Sequence, residues 1–304
     1  MSYMLDSDKQ TDPAKWYRMA KQIGAVDKMS GGDICVESLS EFDNAQCSQK
    51  IAEHFSQISN EYEPVNLHDL PCYLPALPPP QLEEYEVYER INRIKKTKST
   101  LPIDIPDKLR QECSPHLAAP LTTIMNNCLT QSVYPTLWKQ EWVTPAPKIT
   151  NPQTISDLRK ISCTSDYSKT FEGFLKDWII EDVCKNLDIG QFGGQAGIGT
   201  EHMIVCFIDR ILQLLDTYPD KSAVIATSID WSAAFDRQDP TLGIQKFIQL
   251  GVRSSLIPLL TSYLIDRTMR VKFNGEMSDF MTLVGRGQGS TRDTHWPVGI
   301  SGTD

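Results

Sequence analysis

The chain has 304 residues, 40 % of them hydrophobic and 23 % charged, with a formal net charge of -9 and a pI near 5.1. That balance is ordinary for a soluble globular protein and supplies enough apolar material for a sizeable core. It excludes a uniformly basic nucleic-acid binder, so any contact with phosphates must come from local patches. The eight cysteines form no C-x-x-C pair and read as reduced, scattered thiols. No signal-peptide pattern opens the chain, and no apolar run approaches the roughly 20 residues that span a bilayer. The expectation is an intracellular protein, in cytoplasm or nucleus, with no membrane partner.

In chain order, residues 1–63 are polar and mixed. Asp12 and Pro13 open a predicted helix that carries Trp16, and the spacing of Ala45, Ile51, Ala52, Phe55 and Ile58 predicts another. The stretch LPCYLPALPPP within residues 64–80 reads as an extended linker. Residues 1–80 therefore form a helix-rich N-terminal extension ending at a boundary. Residues 81–98 predict an amphipathic helix through Leu82, Tyr85, Val87, Tyr88, Ile91 and Ile94. Its basic residues Arg90, Arg93, Lys95, Lys96 and Lys98 are either a patch or a solvated face. Short helices interrupted by prolines follow, then a strand and turn over 138–148 and a helix over 166–187.

Gly194 to Gly199 with Thr200 approaches phosphate-loop spacing, but it lacks the lysine and follows a helix, so it reads as a flexible connection. A periodic helix over 201–217 follows, with Thr200 as its expected N-cap. AVIATSID (223–230) is almost wholly apolar and predicts a buried strand ending in Asp230. Two helices come next, within TLGIQKFIQLG and SSLIPLLTSYLID. MRVKFNG (269–275) and EMSDFMTLV (276–284) predict a hairpin turning at Asn274-Gly275. The fold class is α/β (α+β).

Asp230 is the first candidate for chemistry. A carboxylate at a strand end can hold a hard divalent cation, or it can simply cap the following turn. Its context, IDWSAAFDRQDP, resembles the first palm motif of reverse transcriptases of the non-LTR retrotransposon type. WKQEWVTPAPK resembles that family's fingers segment, and DLRKISCTSDYSKTFE resembles its DLRPIS-type motif, with Lys160 where proline is commoner. GQFGGQAGIGTEHMI resembles the loop and helix before the palm. LLTSYLIDRTMRVKFNGEMSDF resembles the helix-to-hairpin segment, and LVGRGQGS the Gly-Pro-Gln-Gly motif. The segments fall in the family's order over roughly residues 80–290.

The resemblance implies a polymerase-type fingers and palm, with fingers over 81–222, a partial palm over 223–290 and an aberrant tail over 291–304. It implies RNA-directed DNA synthesis by two-metal nucleotidyl transfer, with Mg²⁺ (or Mn²⁺) as cofactor. An RNA template with a DNA primer and deoxynucleoside triphosphates would be the partners. Asp230 would be the catalytic metal ligand. Lys148 and Arg159 would clamp the triphosphate. Phe235 would lie under the sugar and select deoxynucleotides, or else be a core residue. Asp236 would be structural, though a viral-type RNA-dependent RNA polymerase also spaces two aspartates here. Gln288 and Gly289 would approach nucleotide and template. Lys272 is either a backbone contact or an exposed hairpin lysine.

The sequence departs from the family in two ways. It contains no Asp-Asp dipeptide, so the Tyr/Phe-x-Asp-Asp turn that supplies the other metal-binding carboxylates is missing, and the palm is expected to be incomplete and inactive. Arg286-Gly287 stands where proline is expected, and a polar tail with Trp296-Pro297 follows, which reads as a frame disruption near residue 285 or a wrong gene model. The alternative is a non-catalytic nucleic-acid-binding or interaction remnant, or a relic without selected function.

Overall fold

The structure is a computed structural model that describes residues 33–63, 65, 78–93, 101–193, 197–218, 223–229 and 236–284. The chain divides into two compact units, Met1–Ile34 and Cys35–Asp304, and everything below concerns the second. Helix and sheet are mixed, as expected. The predicted N-terminal helix after Asp12 lies outside the described residues.

Helix α1 (Asn44–Ser59) starts at a reciprocal cap. The Asp43 carboxylate accepts the Gln46 N–H at 2.7 Å, and the Gln46 side chain accepts the Asp43 N–H at 3.3 Å. Its stripe of Cys47, Ile51, Ala52 and Phe55 is buried. Although it precedes the proline-rich stretch, α1 packs on the C-terminal hairpin of the same unit. Helix α2 (Glu84–Arg93) buries Val87 and Ile91, while Tyr85, expected on its apolar side, is exposed.

Helix α3 (Asp107–Glu112) leads into α4 (Ser114–Gln131), which is one 18-residue helix where short interrupted ones were expected. Pro115 sits in the first turn of α4, where its missing N–H costs nothing. Pro120 lies inside, and the helix continues through it, with Leu121, Met125, Cys128 and Leu129 packing into the core beyond. Ser132, with φ 56°, ends it in the left-handed conformation.

A 3₁₀ turn carrying Trp138 precedes strand β1 (Gln140–Pro147), which pairs antiparallel with β2 (Leu158–Cys163). Helix α5 (Asp166–Val183) follows. Its Phe171 joins Tyr134, Trp138 and Tyr263 in an aromatic cluster with centroids 4.8–6.1 Å apart at the centre of the core. Arg90, from the basic run of α2, lies over the Phe174 ring at 4.1 Å and pairs with Asp177, so it is committed to packing. A Cβ on Gly173 would come within 2.2 Å of that guanidinium, so a larger residue there would push the Arg90 side chain off its seat.

Helix α6 (Thr200–Thr217) forms as predicted, but Gly199 is its N-cap rather than Thr200, with His202 Nδ1 accepting the Gly199 N–H at 3.2 Å. None of its residues is buried, and Ile204, Val205, Phe207 and Leu212 are exposed. The expected buried strand at 223–230 is a correction. Residues 223–229 form no strand, and Ile225 is 90 % exposed. An apolar run becomes a buried strand only beside a strand with free hydrogen-bonding groups, and none of the described strands pairs with it.

Helices α7 (Pro240–Gln249) and α8 (Ile257–Leu264) form as expected, α7 from an Asp239 cap that accepts the Thr241 and Leu242 N–H groups. Strand β3 (Arg267–Phe273) then turns at Asn274 and Gly275, with φ 46° and 94°. Two positive φ values in a two-residue loop suit Asn-Gly, and the hairpin returns as β4 (Glu276–Met277) and β5 (Met281–Leu283). The sheet runs β2-β1-β3, with β4 and β5 both on the far side of β3. The β1–β3 pairing is parallel and the others are antiparallel.

Alternation along the strands separates two faces. The inner face carries Glu141, Val143, Lys160, Ser162, Arg267, Met269, Val271 and Phe273, all buried. The register sets Trp142 opposite both Cys163 and Arg270, Ala146 opposite Arg159, and Lys272 opposite Met277 on the outer face.

Candidate functional site

Of the residues singled out from sequence, Lys148, Arg159, Asp236 and Lys272 are described. Asp230, Phe235, Gln288 and Gly289 lie outside the described residues.

Lys148 ends the hairpin arm of β1. Its N–H donates to the Asp157 carbonyl at 2.7 Å, and its ammonium donates to the Ser156 carbonyl at 2.6 Å. Asp157 closes the same turn by accepting the N–H groups of Thr154 and Gln153 and the Thr154 hydroxyl, with the Thr154 N–H foremost among the contacts that hold its carboxyl below the usual carboxylate range. Arg159 is exposed on the outer face.

The next residue, Lys160, points the other way. Its ammonium lies 2.9 Å from the Asp236 carboxylate, and the two side chains are only 4 % and 9 % exposed. This pair ties strand β2 to Asp236, which stands six positions after Asp230 in the sequence. It also commits Asp236, the described carboxylate nearest to Asp230 in sequence, to a lysine rather than a metal. Among the described residues no group of three His, Cys, Asp or Glu side chains could hold a metal ion. Asp230, the position that the resemblance assigns to Mg²⁺, lies outside the residues to which that statement applies.

Two other buried ionic groups frame the sheet. Arg267 donates to Glu141 Oε1 from Nε at 3.2 Å and Nη2 at 2.9 Å, and from Nη1 to the Tyr263 carbonyl at 3.2 Å. Both side chains are fully buried. Burial works against the Arg267 charge, but Tyr263 and the Glu141 and Glu172 carboxylates outweigh it and raise the guanidinium above its ordinary value. Arg110 pairs with Asp166, which also holds Lys169 at 2.9 Å. Burial would raise the Asp166 carboxyl, yet Lys169 and Arg110 hold it low. The neighbouring Asp104 accepts the Ser165 hydroxyl at 2.6 Å and the Asp166 N–H at 3.1 Å, and burial raises its carboxyl. This cluster pins the N-terminus of α5 to the loop before α3.

On the outer face, Arg270 lies over the rings of Trp142 and Phe280, 5.1 and 4.8 Å from their centroids. The two rings meet nearly at right angles, 87° at 6.5 Å. Sequence reasoning missed this sandwich and the Lys160–Asp236 pair. The first was within reach, because period-two alternation puts Arg270 and Lys272 on one side of β3, but its partner strand was not. No helix among the described residues is long and apolar enough to cross a membrane. No protein-family model matches the chain, and no curated protein is similar enough to align with it.

Proposed function

We propose that the chain derives from a reverse transcriptase and engages a nucleic-acid template–primer through its fingers-type elements. The ordered set of segments over roughly residues 80–290 supports this reading. The single structural observation that carries it is the buried Lys160–Asp236 pair, which joins strand β2 to a residue six positions after Asp230 in the sequence. A polymerase needs that juxtaposition, since the fingers must deliver the triphosphate to the palm carboxylates.

In this reading the reaction is attack of a primer 3′-hydroxyl on the α-phosphate of a deoxynucleoside triphosphate. Asp230 would hold the Mg²⁺, which neutralises developing charge when bound. Arg159 and Lys148 would meet the triphosphate, Phe235 the sugar, and Gln288 and Gly289 the nucleotide and template. The 304 residues contain no Asp-Asp dipeptide, so they do not themselves supply the second carboxylate pair. The expected outcome is therefore template–primer binding without synthesis.

The test is a Mg²⁺-dependent primer-extension assay on poly(rA)/oligo(dT), run beside a binding titration of the same hybrid, with Asp230→Ala as control. Binding without extension is the expected result. Extension that Asp230→Ala abolishes would establish polymerase chemistry and overturn the expected inactivity. Folded, monodisperse protein that neither binds nor extends the hybrid would overturn the reading itself.

A further inference from the structure

We infer that the outer face of the sheet is a docking surface for single-stranded nucleic acid. The inference rests on the nucleic-acid side of the reading above and is independent of catalysis.

The first support is charge. Within the strands, the residues that alternation and register assign to this face include three cations, Arg159, Arg270 and Lys272, and no Asp or Glu; one step beyond β2, Asp157 continues the register opposite Lys148, its carboxylate taken up by the Gln153 and Thr154 N–H groups. The outer positions of the strands are thus net positive in a chain of net charge -9. The acids at its margin turn elsewhere. Glu276 is paired with Phe273, whose side chain is on the buried face. Asp279 lines the groove against α1 with Phe42, Gln49 and Lys50.

The second support is the apolar chemistry between the cations. Phe280 is 44 % exposed and Ile161 46 % exposed, on opposite sides of the half-buried Trp142 and Arg270. Arg270 holds the two rings together, while its Nη2 donates to the Ser278 carbonyl at 3.1 Å. Its Nε–H and the indole N–H of Trp142, both buried, find no acceptor among the described residues. Flat aromatic surface interleaved with phosphate-seeking cations is what a single strand requires, because unpaired bases stack on rings while the backbone follows positive charge. An acidic peptide would use the cations and leave the rings idle. A duplex would hide its base faces and use only the charge.

The experiment is fluorescence anisotropy of labelled oligo(U) and oligo(dT), with a mixed-sequence duplex as comparison, on the full chain in EDTA. Both single strands are expected to bind better than the duplex. With three phosphate contacts, log K should fall against log salt with a slope of about -2. Phe280→Ala removes a stacking platform and should weaken binding about 5-fold or more. Lys272→Gln should lower the salt slope by about 0.7. Lys185→Gln, at an exposed position beyond α5, should change neither. Circular dichroism confirms that each variant is folded.

The proposal is overturned if folded protein does not bind single strands, if the duplex binds better, or if Phe280→Ala and Lys272→Gln behave like Lys185→Gln. Hybrid binding that survives both outer-face substitutions would refute this surface and leave the polymerase reading standing. Single-strand binding here, with no hybrid binding, would do the reverse.

Discussion

Removing Arg267 should be the most damaging single substitution in the sheet. Its guanidinium and the Glu141 carboxylate are both fully buried, and the Glu172 carboxylate acts on the same charge. Arg267→Met keeps much of the side-chain volume over the Tyr263 ring, 4.7 Å below the guanidinium, but leaves Glu141 as a buried carboxylate without its counter-ion. Breaking a buried pair from one side costs about 3–5 kcal/mol. That is a large share of the ~5–15 kcal/mol that separates a folded protein from its unfolded chain. Urea denaturation followed by far-ultraviolet circular dichroism reads the loss as a lower midpoint at unchanged slope. The companion variant Glu141→Leu/Arg267→Met removes both charges and should recover most of the loss, because replacing a buried pair by apolar groups is often neutral. A loss below about 1 kcal/mol for Arg267→Met alone, the size typical of an exposed pair, would refute the reasoning.

The same logic applies to the Lys160–Asp236 pair. Lys160→Met should destabilise by about 3 kcal/mol, and Lys160→Met/Asp236→Leu should recover most of it, measured in the same urea titration. His54 gives a pH signature. Burial, and then the nearby Lys148, lower its pKa from 6.5, so the unfolded chain takes up a proton before the folded one does. Stability is therefore full above pH 6.5 and lost as pH falls below it, and His54→Gln should flatten a plot of urea midpoint against pH between about 5 and 7. Thiol reactivity should follow exposure. Burial pushes the Cys128 thiol up to about 11 and raises Cys47, so a thiol reagent near neutrality should label Cys35, Cys184 and Cys206 promptly. Mass mapping that finds Cys128 labelled as fast as Cys206 in folded protein would contradict the packing of α4.

What the sequence made legible was local. The apolar spacing of α1, the helix within TLGIQKFIQLG and the Asn-Gly hairpin are each written within a few residues, and each forms. The prolines of α4 misled because a proline breaks a helix only where a hydrogen bond and space are both lost, and the packed apolar stripe beyond Pro120 outweighs one missing N–H. The run at 223–229 misled for the opposite reason, since its apolarity says nothing about whether a partner strand is present. The cations Lys148, Arg159 and Lys272 were visible as residue types. What they face was not, because facing depends on register. Arg159 and Lys160 are adjacent in sequence, yet one is exposed and the other is paired with a carboxylate 76 residues away.

The parallel pairing of β1 with β3 sets an order of assembly. Glu141 meets Arg267 across 126 residues, and α1 reaches Met281 and Thr282 across 232 and 222. The β1–β2 hairpin can form as soon as it is made, but the free edge of β1 stays unpaired until β3 arrives. The earliest described helix is thus among the last elements to find its seat. Contacts closed over such distances form slowly, because the entropy of a long loop is lost before any contact compensates for it. During synthesis the apolar stripe of α1 with Ile51 and Phe55 waits for β3 to β5, which leaves this helix exposed to non-native contacts until nearly all of the chain to residue 284 has been made.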